Sequence, residues 1–236
     1  MAQAEEYIAE LSTIDPAKIE HSLRGLASMG EESIGQIMSR LETEGDSSTR
    51  VNLMRAIGRV GFENDFFDPS VVERLRELRK DKGLGDGSEQ KALYERATYV
   101  KVLGMIGEPG CFDELLQDFD HQDHRVRANA LEGVAFIIKR WQVTGGVKVQ
   151  EAIEKAMKDE NTRVSVTATV ALFLVHTIAA ETLKARVRDL SYSNDPAVKN
   201  AARRASKSFD VSTDRFLDLF ARDSIYSLIR RFDELG

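Results

Sequence analysis

The sequence predicts an all-α solenoid of about six helical hairpins with a C-terminal capping helix pair, and three observations carry that prediction. A short signature recurs: an acidic turn, a small apolar anchor, then small or apolar residues four and eight positions later. Its anchors, Ile19, Thr49, Glu95, Val126, Val164 and Val198, are separated by 30, 46, 31, 38 and 34 residues, the period of helix-pair repeats. Ahead of each anchor stands a second apolar set at helical spacing. A unit of this kind cannot bury its apolar face alone, so neighbours have to stack.

In the first repeat, Ile8 and Leu11 supply the first helix, and Asp15-Pro16-Ala17-Lys18-Ile19 opens the second, with Leu23 and Ala27 facing inward. Repeat two places Ile34, Ile37, Met38 and Leu41 before a second helix that starts near Arg50. Repeat three opens on Asp68-Pro69-Ser70, where a side-chain cap and a proline at the first helical position mark a helix start; Val71, Val72, Leu75 and Leu78 follow. Its second helix aligns with that of repeat two, because Arg50, Gly58 and Gly61 coincide with Arg96, Gly104 and Gly107. Residues 80–89, rich in Gly and charge, read as a flexible loop inside this repeat and account for the long gap. With no preceding strand and no Gly-Lys-Ser/Thr ending, that loop is not read as a phosphate cradle.

Repeat four has Phe112, Leu115, Leu116 and Phe119, then Asp120-His121-Gln122-Asp123-His124-Arg125-Val126 with Ala130 and Val134. Repeat five has Val149, Ile153, Ala156 and Met157, then Asp159 to Val164 with Ala168 and Leu172. Repeat six has Leu183, Val187 and Leu190, then Asn194 to Val198 with Ala202. Residues 1–210 therefore form the repeat array. Residues 211–236 carry larger side chains, among them Phe216, Leu217, Phe220, Ile225 and Phe232, and read as cap or docking helices of the same domain.

Composition limits the function classes. Of 236 residues, 42% are hydrophobic and 31% charged, with four prolines, which places the chain among soluble helical proteins and away from disordered ones. A lone cysteine, Cys111, cannot close an internal disulfide, and the N-terminus does not resemble a signal peptide, so a cytoplasmic setting is expected. The uncharged run 164–180 contains Ser165, Thr167, Thr169, His176 and Thr177 and reads as a buried repeat helix, not a membrane span. The net charge of -6 is concentrated at one end: residues 1–48 hold ten acids against three bases. Such an end repels nucleic acid and attracts basic surfaces.

These residues support a family resemblance. With its turn acids Asp46, Asp120, Asp159 and Asp195, its Val126-Arg127 and Val198-Lys199 pairs, and its small residues Ala130, Ala168 and Ala202, the chain resembles HEAT-repeat proteins, specifically the phycobilisome-lyase-like HEAT repeats. The resemblance implies that second helices line a concave surface and that the turn carboxylates are structural. Iron-dependent hydroxylases built on such repeats use His-Glu pairs, but here the histidines precede Ser22, Gln122, Arg125 and Thr177. DNA glycosylases of similar build rely on a basic channel with several tryptophans; this chain has one, Trp141.

Other chemistry finds little support in the residues. Asp118, Asp120, His121, Asp123 and His124 offer metal-type donors within one turn, yet they coincide with the repeat's own acidic turn, so no metal and no cofactor are expected. Cys111 lies at a helix start, where the dipole lowers a thiol pKa, but it reads as a buried small residue. The expectation is thus a non-catalytic protein-protein interaction module, an adaptor or scaffold that grips a protein partner through Arg24, Asn52, Arg55, Arg59, Lys101, Asn129, Glu132 and Arg203 on the concave face. Two alternatives stand beside it: a nucleic-acid-binding protein using Arg24, Arg55, Arg59, Lys101, Lys139, Arg140, Arg203 and Arg204, and a subunit like the bilin lyases.

Overall fold

The computed structural model describes residues 2–161, and beyond them 163–165, 167–168, 171, 185, 188–189 and 191–192. The chain divides into two compact units, Met1–Ala152 and Ile153–Gly236. Among the described residues all regular structure is helical.

Four helices of the first unit start where an aspartate side chain caps them. After α1 (Ala2–Glu10), Asp15 accepts the Ala17 amide at 2.9 Å and Pro16 occupies the first turn of α2 (Pro16–Met29). A single 3-10 turn at Gly30–Ser33 leads into α3 (Ile34–Thr43). Asp46 then accepts both the amide and the hydroxyl of Thr49, at 2.8 and 2.9 Å, and starts α4 (Ser47–Glu63). These bonds satisfy amides that have no partner inside the helix, and they hold the Asp46 carboxyl below its ordinary pKa. Asp68 does the same for α5 (Pro69–Lys82) through the Ser70 amide. Three helices follow, α6 (Gln90–Ile106), the short α7 (Phe112–Leu116) and α8 (His124–Trp141); α9 (Gly146–Ala156) runs to the boundary of the two units and past it.

Among the described residues, α1/α2, α3/α4 and α7/α8 pack as the expected hairpins, and α5 meets α6 where the Arg79 guanidinium lies over the Tyr99 ring, 5.1 Å from its centroid. Ile37, Met38, Leu75, Leu115 and Ile153 from the first helices are all fully buried. Second helices stack in chain order, α2 on α4, α4 on α6, and α6 on α8, as a helical repeat array requires. At α6 and α8 the approach is closest: a methyl group on Gly104 would fall on the Cα of Gly133. In the second unit the described helical residues Val164, Ala168 and Ala171 are fully buried. Repeat six and residues 211–236 lie outside the described residues.

Two local expectations change. The cap of α8 is Asp123, not Asp120: it lies three residues before the anchor Val126, as Asp46 lies three before Thr49, and it accepts the Arg125 amide at 2.8 Å. Hydrogen bonds from the Arg125 side chain outweigh burial and hold the Asp123 carboxyl at about 2. In repeat five Asn161 takes this place, bonding the Arg163 amide at 3.0 Å, while Asp159 bonds the Asn161 amide. The second change concerns the segment read as a flexible loop. Helix α5 continues to Lys82, Leu84 is 2% exposed, and the Gly85 amide donates to Glu95 at 3.2 Å. Glu95, buried where repeats one, four and five carry an aliphatic anchor, also accepts from Arg50 of α4 at 2.9 Å. One carboxylate therefore ties repeat two, the loop and repeat three together.

Candidate functional site

The inner face of the first unit can be located by asking which side of α6 its two neighbours share. Phe62 of α4 and Phe136 of α8 meet edge to face with ring centroids 5.2 Å apart. One turn further on, Arg140 donates to the Gly61 carbonyl at 3.0 Å and pairs with Asp65 at 3.1 Å. Helices α4 and α8 therefore meet each other at the C-terminal end of α6, and the side of α6 that they share is here called the inner face. Arg55, Arg59 and Phe62 recur at helical spacing on α4, as Asn129, Glu132 and Phe136 do on α8.

The residues expected to display themselves here have unequal surroundings. Arg24 is exposed on α2 and bonds Glu20 one turn back at 2.9 Å. Asn52 is 8% exposed; its Nδ2 donates to the Leu11 carbonyl at 3.0 Å, and its Oδ1 accepts from Arg55 at 3.3 Å. Asn129 donates to the Ala97 carbonyl at 2.7 Å. Each of these two amides thus bonds backbone of an earlier repeat. Glu132 is fully buried and faces Lys101, whose Nζ is 3.1 Å away. Burial therefore makes Asn52 and Glu132 parts of the helix-helix joints and not display residues. Arg203 lies outside the described residues.

Arg59 and Arg55 differ in a way that matters for binding. Arg59 bridges α2 and α4, donating to Glu20 at 2.9 Å and to Glu63 at 2.6 Å. Burial lowers the Arg59 pKa, but these two carboxylates outweigh it and raise the value overall. The same bridge, with Arg24, outweighs the desolvation of Glu20 and leaves its carboxyl below the usual range. Arg55 is half-buried, and among the described residues no carboxylate pairs with it; its one contact is Asn52. Among the described residues it is the inner-face arginine without a carboxylate partner.

Sequence reasoning missed Glu20, Phe62, Phe136 and the role of Arg140. Glu20 and Arg59 are 39 residues apart, and nothing in either helix signals the pairing. Arg140 carried a faint sign, since a base in the last turn meets the helix dipole favourably, but its acceptors are on another repeat.

The other candidate residues have defined partners. Asp118, 2% exposed, takes two guanidinium nitrogens of Arg96, at 3.1 and 3.0 Å. Asp123 is engaged by Arg125, and the His121 ring accepts the Asp123 amide at 3.0 Å. Among the described residues no three His, Cys, Asp or Glu side chains converge as metal ligands. Cys111 is 1% exposed, and burial pushes its thiol above the ordinary value against the opposing pull of the Glu108 backbone and Arg76. Trp141 packs at the hairpin turn, its indole N–H on the Gly107 carbonyl at 3.0 Å and its ring edge to face with Phe67.

No family model and no curated protein matches the chain. Among solved structures it is similar to a designed armadillo repeat protein in complex with the peptide (KR)4, at 16% identity over 88% of this chain and 99% of that one, with a TM-score of 0.43. An engineered protein is 17% identical over 89% of this chain and 98% of its own, with a TM-score of 0.42. Computationally designed armadillo repeat proteins for modular peptide recognition are 17% identical over 84% and 96%, with a TM-score of 0.40. The repeat architecture of this chain rests on its own stacked second helices. Among the described residues no helix is long and apolar enough to cross a membrane.

Proposed function

We propose that this chain is a non-catalytic, HEAT-type repeat module that binds a protein partner on the inner face of its second helices. The observation that carries the reading is Arg55, a half-buried guanidinium on that face with no carboxylate partner among the described residues. A desolvated cation of this kind is costly to leave unmatched, and a carboxylate on a docking segment is its complement. Arg24 and Arg59 extend the same surface toward α2, while the Phe62–Phe136 contact closes it toward α8. The partner segment would therefore lie across α2 and α4. A reducing, cytoplasmic setting fits a buried thiol at Cys111.

The test is charge reversal at Arg55 alone and together with Arg24, leaving the structural bridge of Arg59 intact. Capture of the partner, identified from native extract with the wild-type chain, is expected to fall by about tenfold or more, as when a desolvated charge pair is broken. Helical circular dichroism is expected to stay unchanged. Undiminished capture by the double variant removes the inner-face assignment.

A further inference from the structure

A second surface, separate from the inner face, is built where the α4–α5 connection meets the turn between α6 and α7. A cavity of about 370 Å³ opens there, lined by Phe67, Pro69, Val72, Glu73, Arg76 and Glu108. Its apolar floor is continuous with Trp141, which touches Phe67 edge to face, holds the Gly107 carbonyl beside Glu108, and is 38% exposed. Arg76 forms the back wall and is fully engaged: its guanidinium meets Glu114 at 3.0 Å, Glu73 at 3.4 Å and the Cys111 sulfur at 3.4 Å. Glu114 in turn takes Arg79 at 3.2 Å and the Tyr99 hydroxyl at 2.6 Å. Counting these groups gives two bases, Arg76 and Arg79, against three acids, Glu73, Glu108 and Glu114. The acid left over is Glu108, which is exposed and pairs with no base among the described residues.

We propose that this notch seats an arginine side chain from a protein partner. An aromatic and aliphatic floor with carboxylates at the rim fits a long basic side chain, which lays its stem on apolar surface and keeps its charged head polar. Arginine fits better than lysine, because its planar guanidinium both stacks on aromatic rings and forks to a carboxylate. The stem lies along Phe67, Pro69 and Val72, and the guanidinium reaches Glu108 with Glu73 beside it. The volume accommodates one or two long side chains and not a helix, so the site reads a side chain on an extended or looped segment.

Trp141, the single tryptophan, borders the notch and reports on it. Blocked tetra-arginine is titrated into the full chain at low ionic strength, with blocked tetra-glutamate as the control, and Trp141 emission is followed alongside calorimetry. Tetra-arginine is expected to give a saturable change and tetra-glutamate none. The E73Q/E108Q variant is expected to bind tetra-arginine about fivefold or more weakly, as loss of exposed ion pairs at one subsite implies. E5Q/E6Q, which removes two exposed acids of α1, is expected to bind as wild type does, and so is Arg55→Glu. The proposal is overturned by no saturable response up to millimolar peptide, by wild-type affinity in E73Q/E108Q, or by an equal loss in E5Q/E6Q, which would mark simple attraction to net charge. Because Arg55→Glu tests the inner face alone, failure of either reading leaves the other distinguishable.

Discussion

Lys101 and Glu132 show why a residue type seldom reveals its burial. At corresponding places on successive second helices, six residues after each anchor, stand Arg55, Lys101 and Glu132. By pattern alone all three are surface charges. In the fold Arg55 is half-buried, Lys101 is largely covered and Glu132 is wholly buried, because α8 closes toward α4 over the end of α6. A buried carboxylate whose base is removed becomes an uncompensated charge. Lys101→Met is therefore expected to destabilise the chain by about 3 kcal/mol. Replacing both partners, as K101M/E132L, is expected to recover most of the loss, since an apolar pair of similar volume is often as stable as the ion pair. Urea unfolding of the two single variants and the double measures the coupling; additive losses would show that the pair does not act as a unit.

Helix starts and the apolar stripes of the first helices were legible because they are local. Asp15, Asp46 and Asp68 sit where capping chemistry requires a side-chain acceptor, and Ile37, Leu75 and Leu115 recur with the helical period. The alignment of Gly58 and Gly61 with Gly104 and Gly107 was also readable, but it hid a difference in what the glycines meet. Around Gly58 the nearest atoms are side-chain atoms of Val102 and Met105, which can shift, whereas Gly104 faces the backbone of Gly133. That contact joins two helices whose glycines fall at different distances from their anchors, nine residues in α6 and seven in α8, so periodicity does not expose it. Gly104→Ala is expected to force α6 and α8 apart and to cost at least the ~1–3 kcal/mol of ordinary overpacking. Gly35→Ala in α3, where a methyl meets nothing within 4 Å, is expected to be neutral or to stabilise by up to about 1 kcal/mol through helix propensity. Thermal unfolding of the two variants side by side checks the contrast; equal small effects would mean that the α6–α8 approach is loose.

In a simple repeat array each unit contacts only its neighbours, and stability is a sum of unit and nearest-neighbour terms. The first unit of this chain departs from that rule, since repeat two and repeat four meet directly through Phe62 with Phe136 and through Arg140 with Gly61 and Asp65. Such contacts span 74 to 79 residues of chain and have no signature in sequence, which is why the repeat pattern was readable and the closure was not. The consequence is a longer range of cooperativity. Losing Arg140, whose guanidinium hydrogen-bonds the Gly61 carbonyl and pairs with Asp65, removes charge-assisted bonds worth about 1.5–3 kcal/mol. If the closure couples the two repeats, Arg140→Ala raises amide exchange at the C-terminal end of α4 and of α8 together, by roughly tenfold for each 1.4 kcal/mol lost. Faster exchange confined to α8, with α4 protected as before, would show that the two repeats open independently and that the closure is contact without coupling. The readout is native-state hydrogen exchange of the amides around Asn64 and Gln142, each bonded to its own helix, to Val60 and to Ile138, so that each reports the opening of one helix end.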